Sequence, residues 1–248
     1  MFFSKQSKIN KKRLSVDTIM NGAKVITAFD PSHHVSEQFR TLRTNIEFSA
    51  VAKGEIKTLL ISSAMPSEGK STVSANLAIV YAQQHKKVLL VDGDLRRPTV
   101  SSTVGLTSNS VGLTNYLGDK EKATSDVIHH TSIDHLDVIT SGPIPPNPSE
   151  LLGSDRMTDL VDDLKSQYDL IIFDVPPFLM VTDAQVLSNK VDGVVLVVNG
   201  GKTKKADLKR TSEILKISDA CILGFIYNDQ STKNMNKHGY GYYGYRKN

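Results

Sequence analysis

Tryptophan is absent from this 248-residue chain, cysteine occurs once, and aromatic residues make up only 6% of it. A lone Cys221 excludes an intrachain disulfide and fits a reducing, cytoplasmic setting. In Ala220-Cys221-Ile222-Leu223 it reads as a small core residue. Long hydrophobic runs are missing as well. The longest, Leu170 to Val181, is broken by Asp174, Pro176 and Pro177, so no segment is expected to span a bilayer. The N-terminus carries lysines without the apolar core of a secretion signal. His33-His34 and His129-His130 lack a matching acidic or cysteine partner nearby, so surface histidines are expected there rather than a metal site. Acid is missing at both ends. Lys5, Lys8, Lys11, Lys12 and Arg13 crowd the first residues, and Lys233, Lys237, Arg246 and Lys247 the last, against a net charge of only +4. Such ends suit attraction to anionic headgroups or an acidic partner, or plain solvation. The mild total excludes a chain built throughout as a polyanion binder, and no nucleic acid is expected as a partner.

The residues that organise the rest are Ser62-Ser63-Ala64-Met65-Pro66-Ser67-Glu68-Gly69-Lys70-Ser71-Thr72. Before them, Thr58-Leu59-Leu60-Ile61 reads as a buried strand; after them, Val73 to Ala82 reads as a helix. Strand, tight loop, Gly-Lys-Ser and helix form the phosphate cradle of a P-loop nucleotide-binding protein. Loop amides and the open first turn of a helix attract anionic oxygens. Ser67, Glu68, Gly69, Lys70, Ser71 and Thr72 are therefore the expected nucleotide contacts, with Lys70 reaching the β- and γ-phosphates of ATP and Ser71 ligating Mg²⁺. Ala64 stands where the usual first glycine would be, and gives up that residue's easy positive φ.

Along the chain, residues 1–34 read as a flexible basic arm. Residues 35–50 read as a helix, with Val35, Phe39, Leu42 and Ile46 on its apolar face and Ser36 as N-cap. Glu37, Arg40 and Arg43 recur on it at three-residue spacing, available to a partner subunit or simply a solvated charged face. Val88-Leu89-Leu90-Val91 runs into Asp92-Gly93-Asp94, a central parallel strand delivering two carboxylates to the nucleotide. Short helical turns are expected near Leu113 to Leu117, a strand over Leu136 to Gly142, and a stiff loop from Pro143 to Pro148. Asp155 to Gln167 reads as a helix, and Leu170-Ile171-Ile172-Phe173 as a strand ending in Asp174, a second metal-holding residue. A strand over Gly193 to Val198, a basic helix over 204–217 and a last strand over Ile222 to Tyr227 complete the domain at 229. Residues 230–248 are rich in Gly and Tyr and poor in aliphatics, so they cannot pack a core. Four of the eight tyrosines, Tyr240, Tyr242, Tyr243 and Tyr245, lie there, as an adhesive tail or a modifiable one. The fold expected is α/β: a mostly parallel sheet flanked by helices on both faces, in one domain.

The P-loop, the Asp-x-Asp strand, the Ile-Ile-Phe-Asp strand, the Glu-x-x-Arg-x-x-Arg helix and the tyrosine cluster together resemble the bacterial tyrosine kinases of capsule and exopolysaccharide systems, in the form with a separate membrane adaptor. The resemblance implies that the enzyme autophosphorylates Tyr240, Tyr242, Tyr243 and Tyr245. It implies that Glu37, Arg40 and Arg43 join copies into a homo-oligomeric ring, an octamer on the family pattern. Asn228 falls where related ATPases read adenine. Partners implied are the cytoplasmic segment of a transmembrane adaptor, tyrosine-bearing protein substrates and a tyrosine phosphatase, at the inner face of the cell membrane. Because a phenol of ordinary pKa is a poor nucleophile at neutral pH, it needs a base in reach. Asp94 is the candidate base and Asp92 the metal ligand, with the two roles exchangeable. Arg96 and Arg97 receive no role. The rival reading is a positioning or partitioning ATPase of the same fold, acting on DNA or membrane; such proteins carry a lysine five residues before the main one, where this chain has Met65. A ring-forming scaffold that merely holds nucleotide is the non-enzymatic alternative, disfavoured by Asp92, Asp94 and Asp174.

Overall fold

The computed structural model describes residues 22–51, 54–107 and 110–229. The tail tyrosines and the basic residues of both ends lie outside them. Apolar runs with little alternation form the inner strands, covered on both sides as parallel sheets require, and two less buried strands flank them. The strands are β1 (Thr58–Ser63), β2 (Val88–Asp92), β3 (His129–His130), β4 (Leu136–Ile139), β5 (Leu170–Asp174), β6 (Gly193–Asn199) and β7 (Ile222–Asn228). They form one seven-stranded sheet in the order β3-β4-β2-β5-β1-β6-β7, all parallel but for the β3–β4 pair. Successive side chains then feed two cores. Leu60, Leu89, Val91, Ile171, Phe173, Val194 and Leu196 face one side; Leu59, Ile61, Val88, Leu90, Ile172, Val195 and Val197 face the other. The expected fold is the one found.

Helices cover both faces. They are α1 (Ile26–Phe29), α2 (His34–Val51), α3 (Lys70–Ala82), α4 (Val100–Val104), α5 (Leu113–Gly118), α6 (Pro148–Gly153), α7 (Asp155–Gln167), α8 (Asp183–Ser188) and α9 (Lys205–Ile217). The P-loop helix α3 is buried from Val73 to Ala82, in keeping with its lack of a polar face. α7 is amphipathic: Met157, Leu160, Val161 and Leu164 face the core, and Ser154 caps it by accepting from Met157 N–H. Strand order 2-5-1 brings the ends of β1, β2 and β5 side by side, so the loop after β1 meets Asp92 and Asp174 at one edge. No helix among the described residues is long and apolar enough to cross a membrane.

Four expectations are corrected. Residues 22–34 do not behave as a free arm: Thr27 is fully buried, and its N–H and hydroxyl donate to Asn76 Oδ1 at 3.1 and 2.9 Å. Ser36 is not the cap of α2 but lies inside it, buried, donating to Asp30 O at 2.7 Å. Cys221 is half-buried at the start of the edge strand β7 rather than in the core. His130 does have an acidic partner, since β3–β4 pairing sets its Nδ1 2.7 Å from Asp137 Oδ1.

Candidate active site

The loop between β1 and α3 presents Met65, Pro66 and Ser67 to solvent and keeps Ala64 buried. Left-handed backbone falls at Ser67 (φ 63°) and Gly69 (φ 97°), and Ala64 is not among the positive-φ residues. The missing first glycine therefore demands no strained alanine. Gly69 is required twice over, because a Cβ there would also lie 2.1 Å from Asn228 Nδ2.

The loop is held from behind. Glu68 is buried, and its carboxylate accepts from Met65 N–H at 3.1 Å and from the Thr203 hydroxyl. Asn228 Nδ2 donates to Glu68 O at 2.9 Å. Glu68 thus enters as a staple of the loop, and Asn228, expected at the adenine, has its amide engaged with the loop backbone. Thr203 was not legible in the sequence; it lies in the β6–α9 loop, far along the chain, with no local motif around it.

Lys70, first residue of α3, points along the ends of β2 and β5. Its Nζ lies 3.0 Å from Asp94 Oδ2, 3.4 Å from Asp174 Oδ1 and 3.3 Å from Ser71 Oγ. Burial would lower the ammonium pKa, but Asp174 and Asp94 outweigh it and hold it well above its usual value. Asp174 also accepts from Ser74 Oγ and from Thr99 Oγ1, both at 3.3 Å. Asp92 is engaged differently. Its Oδ2 accepts from Thr99 N–H and Val100 N–H, both at 2.8 Å, and its Oδ1 from Asp94 N–H at 3.2 Å. The structure therefore brings Lys70, Ser71, Asp94 and Asp174 to one point, with Asp92 directly behind them bracing the turn. Thr99, which donates to both Asp92 and Asp174, carries no sequence signal beyond following Pro98.

Burial pushes Asp92 up to about 7, with Asp174 adding to the effect. Asp174 is likewise raised, chiefly by burial and against the pull of Lys70. Three carboxylates around one ammonium leave an excess of buried negative charge that a divalent cation would offset. Among the described residues no three acidic, His or Cys side chains form a metal cage of their own. Mg²⁺ is generally bound by one or two carboxylates together with substrate phosphates, a donor set that Asp174 and Ser71, hydrogen-bonded to each other beside the P-loop, would fit.

On α2 the three charged residues part company. Glu37 and Arg40 pair at 2.5 Å, and Arg40 also donates to Pro31 O. Arg43 turns inward and donates to Val80 O at 2.7 Å, tying α2 to the end of α3.

A P-loop fed by two further acidic strand ends defines a nucleotide-binding enzyme of the P-loop fold. The family model described as "AAA domain" matches residues 57–216. The chain is 49% identical over 225 residues to tyrosine-protein kinase YwqD of Bacillus subtilis, covering 90% of this chain and 92% of the relative. The kinase domain of Escherichia coli tyrosine kinase ETK superposes with a TM-score of 0.81 at 34% identity, over 95% of this chain and 89% of that one. The chimerical protein CapA2B2 superposes with a TM-score of 0.78 at 39% identity, over 86% and 94%. The chain belongs to the bacterial tyrosine-protein kinases, as its motifs implied.

Proposed function

We propose that this kinase transfers the γ-phosphoryl group of ATP to tyrosines, first among them its own Tyr240, Tyr242, Tyr243 and Tyr245. The observation that carries the reading is the convergence of Lys70, Asp94 and Asp174 at the mouth of the P-loop. Phosphate oxygens arriving in the loop compete for the Lys70 ammonium and release Asp94 from it. The phenol oxygen then attacks the γ-phosphorus in line, the bond to the bridging oxygen breaks, and ADP leaves. Asp94 accepts the phenol proton as it is lost. Ser71 and Asp174 are the residues that would hold Mg²⁺, whose part when bound is to offset charge on the phosphates. Asp92, with both oxygens committed to backbone N–H groups, shapes the turn that carries Asp94. This division of labour favours Asp94 over Asp92 as base.

Copies of the chain assemble as a ring through Glu37 and Arg40, with Arg43 fixing the helix that presents them. A ring raises the local concentration of tails at neighbouring sites toward about millimolar. Each phosphate adds about −1.5 to −2 charges to a basic tail, which then leaves its acceptor site and loosens the ring. The enzyme works at the inner membrane face, held by the cytoplasmic segment of a transmembrane adaptor and reset by a tyrosine phosphatase, in the control of capsule or exopolysaccharide synthesis. Incubation with γ-labelled ATP tests the reading, with Lys70→Met and a chain ending at Asn236 as comparisons. A kinase of this kind loses tail labelling in both. Undiminished ATP hydrolysis after truncation, with no label ever reaching tyrosine, would favour a positioning ATPase.

A further inference from the structure

Arg96 and Arg97 follow the Asp92-Gly93-Asp94 turn, and nothing above uses their side chains. Across the site mouth, on the loop that follows β5, Asp183 opens α8 and is wholly buried. Its carboxylate takes a two-point contact from Arg96: Nε to Oδ2 at 2.9 Å and Nη2 to Oδ1 at 3.0 Å. Ser149 Oγ, from α6, donates to the same carboxylate at 2.5 Å, and Thr182 Oγ1 donates to Ser149 Oγ at 3.1 Å. Three loops at the carboxyl edge of the sheet thus converge on one buried anion, and the planar fork of Arg96 fits it as a single ammonium would not.

We infer that the Arg96–Asp183 pair is a positioning device that aims Asp94. The inference rests on the reading of Asp94 as the group that takes the phenol proton. The route is short. Arg97 N–H donates to Asp94 Oδ1 at 3.0 Å, which turns Oδ2 toward Lys70. That N–H belongs to the peptide that joins Arg97 to Arg96. Anchoring the Arg96 side chain to Asp183 therefore fixes the amide that orients the carboxylate. Asp183 is itself fully buried and accepts from Ser149 Oγ besides the two Arg96 nitrogens. The Arg96 side chain is 41% exposed, so it can be exchanged without opening a cavity.

The test uses the full chain with Arg96→Lys and Asp183→Asn, alongside Asp94→Asn. It measures kcat and KM for tyrosine phosphorylation, Kd for a fluorescent ADP, and melting temperature. Arg96→Lys keeps the charge but loses the fork. Its kcat is expected to fall about ten-fold or more, because small misplacements of a reacting group are costly. Its nucleotide Kd should stay within about two-fold of the parent's, since the P-loop is untouched. Asp183→Asn should show the same fall in kcat with a lower melting temperature. Wild-type kcat in Arg96→Lys, or a fall that merely tracks melting temperature, would overturn the positioning role. Full activity in Asp94→Asn would instead overturn the assignment of the base.

Discussion

Glu68 illustrates how much of the site rests on single contacts. Its buried carboxylate has two donors, the Met65 amide and the Thr203 hydroxyl, and the second comes from a loop beyond β6. Thr203→Val keeps the shape and removes that donor. Leaving a buried charge short of a partner costs about 1–3 kcal/mol, so nucleotide affinity should fall roughly ten-fold or more by fluorescent-nucleotide titration. An unchanged Kd would mean the loop holds itself. Gly69→Ala should weaken binding strongly in the same assay while the protein still melts cooperatively, because alanine resists the φ of 97° there and its methyl would push the Asn228 amide off Glu68 O. Gly69, Lys70 and Ser71 could be read from the sequence because they are consecutive and their chemistry is local. The Glu68–Thr203 and Arg96–Asp183 contacts could not, because they join residues that only the strand order brings together.

Among the elements, the segment before α2 and α2 itself depart most from what their sequences suggest. Residues 22–30 do not form a free tail: Ala23, Val25 and Ala28 pack against the core beside α3, and Asn76 satisfies the backbone there, its Nδ2 donating to Lys24 O at 2.6 Å and to Thr72 O at 2.8 Å. Gln83 Nε2 adds a bond to Thr27 O at 2.9 Å. A fully buried polar hub of this kind is invisible to hydrophobic periodicity, which sees only that α3 is apolar elsewhere. Asn76→Ala strands several polar groups and should cost about 2–4 kcal/mol in a urea melt; a loss below about 0.5 kcal/mol would contradict the packing. On α2 the apolar spacing was legible and the partition of its charges was not. If the proposed ring forms through α2, Arg40→Ala should shift it toward monomers by light scattering and leave the melting temperature nearly unchanged. Arg43→Ala should lower the melting temperature, by about 1 kcal/mol of stability, through its lost bond to Val80 O.

Across the whole molecule, six apolar runs made a mostly parallel sheet legible, with Asp92 and Asp174 ending two of them; their order, on which the two-sided core depends, was not, because pairing joins runs far apart in the chain. The opposite edge of the sheet carries its own electrostatic tie. Asp192 Oδ2 accepts from Lys57 N–H at 3.0 Å and Thr58 N–H at 2.8 Å, and Oδ1 lies 2.9 Å from Lys165 Nζ. Burial raises its pKa, but the Lys165 and Thr58 bonds prevail and hold it below its ordinary value of 3.8. A depressed carboxylate stabilises the fold above its unfolded pKa and ceases to do so as pH falls through the folded one. Asp192→Asn should therefore be less stable than the parent at pH 7 by about 1–2 kcal/mol, with the gap closing below about pH 4. A gap independent of pH in denaturant melts would rule out the linkage. The most direct measurement of the account is peptide mass spectrometry after incubation with Mg·ATP and the adaptor's cytoplasmic segment. Phosphate is expected on Tyr240, Tyr242, Tyr243 and Tyr245 of the parent chain and on none of them in Asp94→Asn. Unmodified tyrosines in the parent, or equal modification in the variant, would contradict it.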